Sequence, residues 1–539
     1  MEELRSALEA AAQKLFDVDT DAELTRPEEQ FGDYASNLAL QLAKQLGKNP
    51  REVADSLASE LKSLPLLAEP PQVAGPGFLN FKLTDEKLAR AALDATELAQ
   101  PLKGQEILVE FGDPNPFKEM HIGHLYSYIT GDTISSLQEI QGAQARRLSY
   151  HGDVGRQVAQ AIWGMQHVEV TDDASLGQAY AKGAQAYEDD EQARAQIDKI
   201  NQHVYQGNDP EINRLHQKGV KISFDHFDKI LNLLSISTDK RYLESQASPV
   251  GLSLVEENVG KVFTKSDGAI IYEGEKEGLH TRVFITSKGL PTYETKDLGN
   301  AILKDTDYPK ASRSLIITGN EQSEYFKVML TALAKIRPEL AKKTRHLAHG
   351  FVSLSTGKMS SRTGKVYPAA KLLMDVKDAV HQQYPDSPVK KEVTLAAVKY
   401  AFLKHRLGSD IVLDIKESIS LEGNSGPYLQ YAHARAQSIL AKAEKVTNQQ
   451  VGPLEPGERS LVRKISEYPE VIAKATAELM PHHICTYLYE LAQTFNSFYE
   501  ANRVIGDPRQ VTRLQLVDAY AKVLNHGLNT LNIAAPNKM

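Results

Sequence analysis

Residues 110–125 read E-F-G-D-P-N-P-F-K-E-M-H-I-G-H-L. The apolar run Ile107-Leu108-Val109 precedes them, and a helical pattern continues past Ile134 and Leu137, so the stretch reads as a strand, a loop and a helix start. His121 and His124, three residues apart, fall on one face of the first turn, and Gly123 between them has no side chain to hold a flat ligand off the backbone. A helix start also offers unpaired N–H groups and the positive end of the dipole, which together favour phosphate. Two imidazoles at such a place suggest nucleotide chemistry.

A second string narrows the reading. Lys358-Met359-Ser360-Ser361 sits in S-T-G-K-M-S-S-R-T-G-K, a polar stretch that reads as a loop carrying a phosphate-seeking lysine. Taken singly, each string is open to a bland reading, a chance His-x-Gly-His or a solvated Lys/Ser/Gly connection. Together, in this order and at this separation, they resemble the two signatures of class I aminoacyl-tRNA synthetases.

Composition sets independent limits. The 539 residues, 41% hydrophobic and 24% charged, describe a globular chain long enough for several domains. No apolar run reaches bilayer length and the start M-E-E-L-R-S lacks a signal-peptide layout, so a cytoplasmic protein without a membrane partner is expected. The single cysteine, Cys485, excludes disulfides within the chain and clustered-cysteine zinc sites, and reads as a small core residue. The first 100 residues carry 18 Asp and Glu against 10 Lys and Arg, which accounts for the whole net charge of −8. The remaining chain is balanced, so global charge neither supports nor opposes a nucleic-acid partner.

In chain order, residues 1–95 read as a small α+β domain. Helices are expected over Leu4–Leu15, from Ala35 to Leu46 with a stop at Gly47, and from Pro50 to Leu61; P-G-F-L-N-F-K-L then reads as a strand with Phe78, Asn80 and Lys82 on one face. Residues 105–420 read as a Rossmann-type α/β core with a parallel sheet, its second strand at Gln144–Tyr150, interrupted by a charged helical insertion at about 163–260. D-G-A-I-I-Y, R-V-F-I and S-L-I-I-T-G are taken as the returning strands, with polar residues at the ends where such sheets bind ligands. Residues 421–539 read as an all-α bundle.

The order of segments over essentially the full chain resembles arginyl-tRNA synthetases in particular, including G-D-Y-A-S-N-L-A-L-Q-L-A-K with P-G-F-L-N-F near the start and G-N-S-G-P-Y-L-Q-Y-A-H-A-R entering the last domain. The resemblance implies an arginine pocket at Glu110, Asn115, Tyr293, Asp297 and Gln322, which is chemically apt because a guanidinium needs carboxylate acceptors. It implies catalytic roles for His121, His124 and Lys358, with Lys118 a second cation, and ATP contacts at Gly123, Met359, Ser360 and Ser361. Phe78 and Asn80, and Tyr431 in the last domain, are the expected tRNA contacts. ATP with Mg2+, arginine and tRNA(Arg) are the implied substrates and partners, no protein metal site is expected, and a monomer is expected. The chain departs from the family pattern at Gly112-Asp113, Tyr126, Val154 and Ser361, positions that bear on ATP contact. Two other readings stand beside this one: a class I synthetase for another amino acid, and a non-catalytic tRNA-binding paralogue.

Overall fold

The computed structural model describes residues 1–355, 367–443 and 451–539. Five strands form its central sheet, in the spatial order Thr344–His349, Ala311–Gly319, Glu106–Phe111, Gln144–His151 and Lys240–Leu243, all paired in parallel. Strand order reverses between Glu106–Phe111 and Ala311–Gly319, and the crevice at the carboxyl ends of those two strands is where such a sheet receives ligands. The helix Ile122–Ile140 lies beneath the crevice, buried on nearly every side. Two glycines let it close on the sheet. A Cβ on Gly131 would stand 2.2 Å from the Phe111 ring, and one on Gly112, whose φ is +91°, would stand 2.3 Å from the Tyr128 ring.

The inserted part is a set of three helices, Asp173–Asp189, Glu191–Gln206 and Pro210–Leu234. Each starts after an aspartate, Asp172, Asp190 or Asp209, whose carboxylate accepts backbone N–H groups of the first turn. They bury Ile197, Ile212 and Leu215 with Val158, Ile162 and Phe117 in a cluster of their own. The sequence reading carried the insertion to about residue 260; the sheet resumes earlier, at Lys240–Leu243, a four-residue strand too short for its periodicity to stand out from the helices around it.

D-G-A-I-I-Y and R-V-F-I also depart from expectation. Thr264–Ser266, Ala269–Tyr272 and Arg282–Ile285 form a separate antiparallel three-stranded sheet, and only Ala311–Gly319 returns to the parallel one. The short connections between them permit hairpins and are too brief for a parallel crossover.

In the N-terminal module, strand Phe78–Phe81 lies between Tyr34–Ser36 and Gln72–Ala74, packed on helices Glu2–Phe16, Leu38–Leu46 and Pro50–Leu61. Ala35 and Ser36 belong to a strand, opposite Asn80 and Leu79, and the helix begins at Leu38 where the Ser36 hydroxyl accepts its N–H. That helix ends at Gly47 in the left-handed region, and Asn49 caps the next.

Helices Gly426–Leu440, Pro456–Ser466, Tyr468–Glu478, His482–Ala501 and Gln510–Thr530 make the last domain, with Cys485 fully buried among them. The N-terminal module docks on this bundle through ion pairs, Arg459 to Asp33 at 2.6 Å and Arg26 to Glu470 at 2.8 Å. Among the described residues no helix is long and apolar enough to cross a membrane.

Candidate active site

His121 and His124 organise the turn that follows strand Glu106–Phe111. His121 is the N-cap of its helix: its Nδ1 accepts the Gly123 N–H at 3.1 Å, while His124 Nδ1 accepts the His121 N–H at 3.2 Å. The rings stack with centroids 3.7 Å apart. Because both Nδ1 atoms are acceptors, both protons sit on Nε2, and the pair presents two N–H donors. Burial, and then the neighbouring His349 and Lys118, push the His121 pKa down to about 4. His124 is held well below the usual histidine range by burial and by His121. Both imidazoles are therefore neutral at neutral pH.

Lys358, Met359, Ser360 and Ser361 lie outside the described residues. The chain beyond them returns against the histidine turn: Ile122 N–H donates to the Tyr367 carbonyl at 3.0 Å and Ala369 N–H to the Met120 carbonyl at 2.9 Å. Lys118 is half-buried with its ammonium 5.4 Å from the Tyr180 ring; it makes no ion pair among the described residues, and burial lowers its pKa.

A second group of side chains meets at the same sheet edge. Glu110, 3% exposed, accepts at Oε2 from Lys304 Nζ at 2.8 Å and from Asn300 Nδ2 at 2.9 Å. Glu244, also buried, pairs with Lys296 at 2.5 Å. The side chain of Asp297, between these two lysines on helix Tyr293–Asp307, makes no hydrogen bond or ion pair among the described residues. Burial, then the charges of Glu110 and Glu244, push its pKa well above the carboxylate range, with Lys304 and Lys296 only partly opposing them. A half-buried carboxyl group facing two carboxylates ionises at lower cost once a cation sits against it. Asn115 directs its Oδ1 at the Gly152 N–H, 2.9 Å away. Tyr293, 60% exposed, has Lys296 Nζ 4.3 Å from its ring, and Gln322 is exposed at the end of strand Ala311–Gly319.

Glu244, Lys296, Asn300 and Lys304 escaped the sequence reading. Three of them had a signal: Tyr293, Asp297, Asn300 and Lys304 recur at helical spacing on one face, and Lys296 adjoins it. Glu244 had none, since it reaches the cleft only through the pairing of Lys240–Leu243 with Leu148–His151.

The departures from the family pattern have local explanations. Tyr126, 1% exposed, packs between Phe402 and His349 and does not line the cleft. Gly112 is required by the Tyr128 ring, and Asp113 accepts the Tyr150 N–H at 2.8 Å, tying the loop to the next strand. Val154 is buried.

Far from the cleft, Phe78 is 41% exposed while Asn80 on the same strand face is only 9% exposed, so the two do not offer equal surfaces. Of the bundle aromatics, Tyr431 stands out at 46% exposure, whereas Tyr487, Phe495 and Phe498 are core.

The cleft thus joins two uncharged N–H donors at a helix N-terminus to a pocket with an unpaired carboxyl group that ionises opposite a cation, a layout for a phosphate ester beside a cationic side chain. Family models match in three consecutive blocks: an arginyl tRNA synthetase N terminal domain over residues 2–83, a class I (R) tRNA synthetase catalytic domain over 88–414, and a DALR anticodon binding domain over 429–539. An arginine–tRNA ligase of Cutibacterium acnes is 31% identical with the whole of each chain covered, and one of Synechococcus elongatus is 31% identical over 95% of this chain and 94% of its own. The solved arginyl-tRNA synthetase of Thermus thermophilus superimposes over the full length of both chains with a TM-score of 0.85 at 28% identity. The chain belongs to the arginyl-tRNA synthetase family.

Proposed function

We propose that this chain ligates arginine to tRNA(Arg) in two steps at the cleft. An arginine carboxylate oxygen forms a bond to the α-phosphorus of ATP as the α–β bridging P–O bond breaks, giving arginyl-adenylate and pyrophosphate. A hydroxyl of the terminal tRNA ribose then takes the arginyl group and releases AMP. The observation that carries this reading is Asp297, a carboxylate without a partner, set between two lysine-neutralised glutamates beside the histidine turn.

In this reading, Asp297 with Glu110, Asn115, Tyr293 and Gln322 receives arginine; Glu110 retains one carboxylate oxygen, Oε1, outside its bonds to Lys304 and Asn300. The Nε2–H groups of His121 and His124 face the α-phosphate and strengthen as charge develops there, which is what displacement at phosphorus demands of a protein. Gly123 permits close approach of the nucleotide, Met359, Ser360 and Ser361 complete its site, Lys358 meets the departing pyrophosphate, and Lys118 is a second cation. Mg2+ enters with ATP, whose phosphate oxygens are its hard ligands. Residues 1–95, 105–420 and 421–539 serve the outer corner of the tRNA, the chemistry and the anticodon; Phe78, Asn80 and Tyr431 are the proposed RNA contacts. The protein works as a cytoplasmic monomer.

Pyrophosphate exchange with each amino acid, with and without total tRNA, tests the reading. Exchange with arginine alone is expected. Exchange with another amino acid points to a different class I specificity, and none under either condition points to a tRNA-binding paralogue. For the RNA side, Phe78→Ala is expected to leave the melting temperature intact and to weaken tRNA binding by about 1–3 kcal/mol, with Asn80→Ala giving less. A large fall in melting temperature at unchanged tRNA affinity assigns Phe78 to the core instead.

A further inference from the structure

The opposite end of the parallel sheet holds a cavity of about 900 Å³ between strands Ala311–Gly319 and Thr344–His349, helix Pro338–Lys343 and the turn at Leu479. It lies at the amino ends of these strands. Arg313 precedes Gly319 by six residues, roughly 20 Å along the strand, so the cavity is separate from the cleft.

Its walls are basic. Arg313, Arg337, Lys342, Lys343 and Arg345 face it, with Asp305 and Glu339 as the acids. Lys343 and Asp305 neutralise each other at 2.6 Å. Glu339 offsets one of the remaining four cations, and three positive charges are left. Leu315 stands opposite Arg345, so Arg313, two residues before Leu315 on the same face, is a diagonal neighbour of Arg345, roughly 7–8 Å away.

The arginines elsewhere sharpen this. Arg51, Arg313, Arg337, Arg345 and Arg406 are the described arginines whose guanidinium has no hydrogen-bond acceptor, no carboxylate and no aromatic ring as a partner, and three of these five line one cavity. Guanidinium forks match phosphate oxygens bidentately, and several cations converging without counter-charge suit a ligand with more than one anionic group. Buried Leu315, Leu340 and Leu479 supply an apolar floor that fixes the walls and adds no competing carboxylate.

We infer that this cavity binds a compact anion carrying two or more phosphate groups, at a site independent of the catalytic cleft. Calorimetric titration of inorganic triphosphate into the full chain, with arginine and a non-hydrolysable ATP analogue saturating the cleft, is expected to reveal one saturable site. Arg313→Glu combined with Arg345→Glu is expected to weaken that site roughly tenfold or more and to leave the melting temperature and the ATP KM unchanged. If the double variant fails to fold, Lys342→Gln on the exposed helix is read instead, with a smaller loss expected. The absence of a saturable triphosphate site in the unaltered chain, or equal affinity in chain and folded variant, overturns the proposal. So does a variant that keeps triphosphate and loses tRNA affinity, since the face would then serve an RNA backbone.

Discussion

His121 and His124 on one side of the cleft, and Glu110, Glu244 and Asp297 on the other, gather at one sheet edge, all withdrawn from free solvent, yet they carry charge differently. The imidazoles shed theirs: burial lowers both pKa values, and the Nδ1 acceptors fix where the remaining protons sit. The carboxyl groups differ by partner: Glu110 and Glu244 each pair with a lysine, whereas Asp297 has none and its pKa is pushed well above the carboxylate range, so that it takes up its charge only opposite an arriving cation. Burial alone does not choose between these outcomes; the partner set does. A side facing phosphate gains from neutral donors in fixed directions, because the phosphate brings the charge. A side facing a guanidinium must supply the charge itself.

The largest expected effect tests the first side. His124→Ala removes a donor that acts as charge develops, so kcat should fall by roughly 10²-fold or more with the arginine KM little changed, and Lys358→Ala should behave alike. Steady-state kinetics on folded protein decide it, and near-normal turnover in both variants removes the phosphate role. The second effect tests the other side. Asp297→Asn keeps the shape and deletes the charge that the carboxyl takes up opposite a guanidinium, at a cost of about 1.5–3 kcal/mol for a charge-assisted bond, so the arginine KM should rise more than tenfold while the ATP KM holds. An unchanged arginine KM would mean the guanidinium lies elsewhere.

A smaller effect follows from the raised pKa of Asp297. A group that binds its proton tightly in the free enzyme must release it to face a guanidinium, so arginine affinity should fall as pH drops through that raised pKa, at most about tenfold per unit. Calorimetry in two buffers of different ionisation enthalpy should detect proton release on arginine binding, and Asp297→Asn should abolish it.

How much of this was legible beforehand follows the range of each interaction. The histidine turn was readable because strand, loop, Gly123 and both rings lie within nineteen residues, 106–124, and the capping bonds are local. Tyr293 and Asp297 were readable as a spaced pair, while the lysines that neutralise their surroundings needed partners from distant elements, Glu110 on a strand and Glu244 at a helix start. Strand direction was misread for Ala269–Tyr272 and Arg282–Ile285 because an apolar run does not disclose its partner. The exposure of Phe78 was equally hidden: alternation assigns a face, and only packing says that Phe78 stands open while Asn80 is covered.

The smallest effect sharpens the comparison from the folding side. His121→Asn retains a side-chain acceptor at the N-cap, so the Gly123 N–H keeps a partner and the helix start survives. The change deletes the one titrating ring of that position. In the unfolded chain the ring takes a proton near pH 6.5, whereas in the folded chain burial delays this to about 4. Between those values the unfolded state binds more protons, so folded stability falls as pH falls, and the loss is complete below about 4. The asparagine variant lacks this penalty. Its melting temperature should match that of the unaltered chain near pH 7.5 and exceed it by a growing margin, a few degrees at most, from about pH 6.5 down to about 4. Paired thermal melts across that range measure the margin. A constant difference at every pH would mean that His121 takes up its proton alike in the folded and unfolded chain, and the contrast between an uncharged phosphate side and an arginine side that ionises on binding would fail at its first residue.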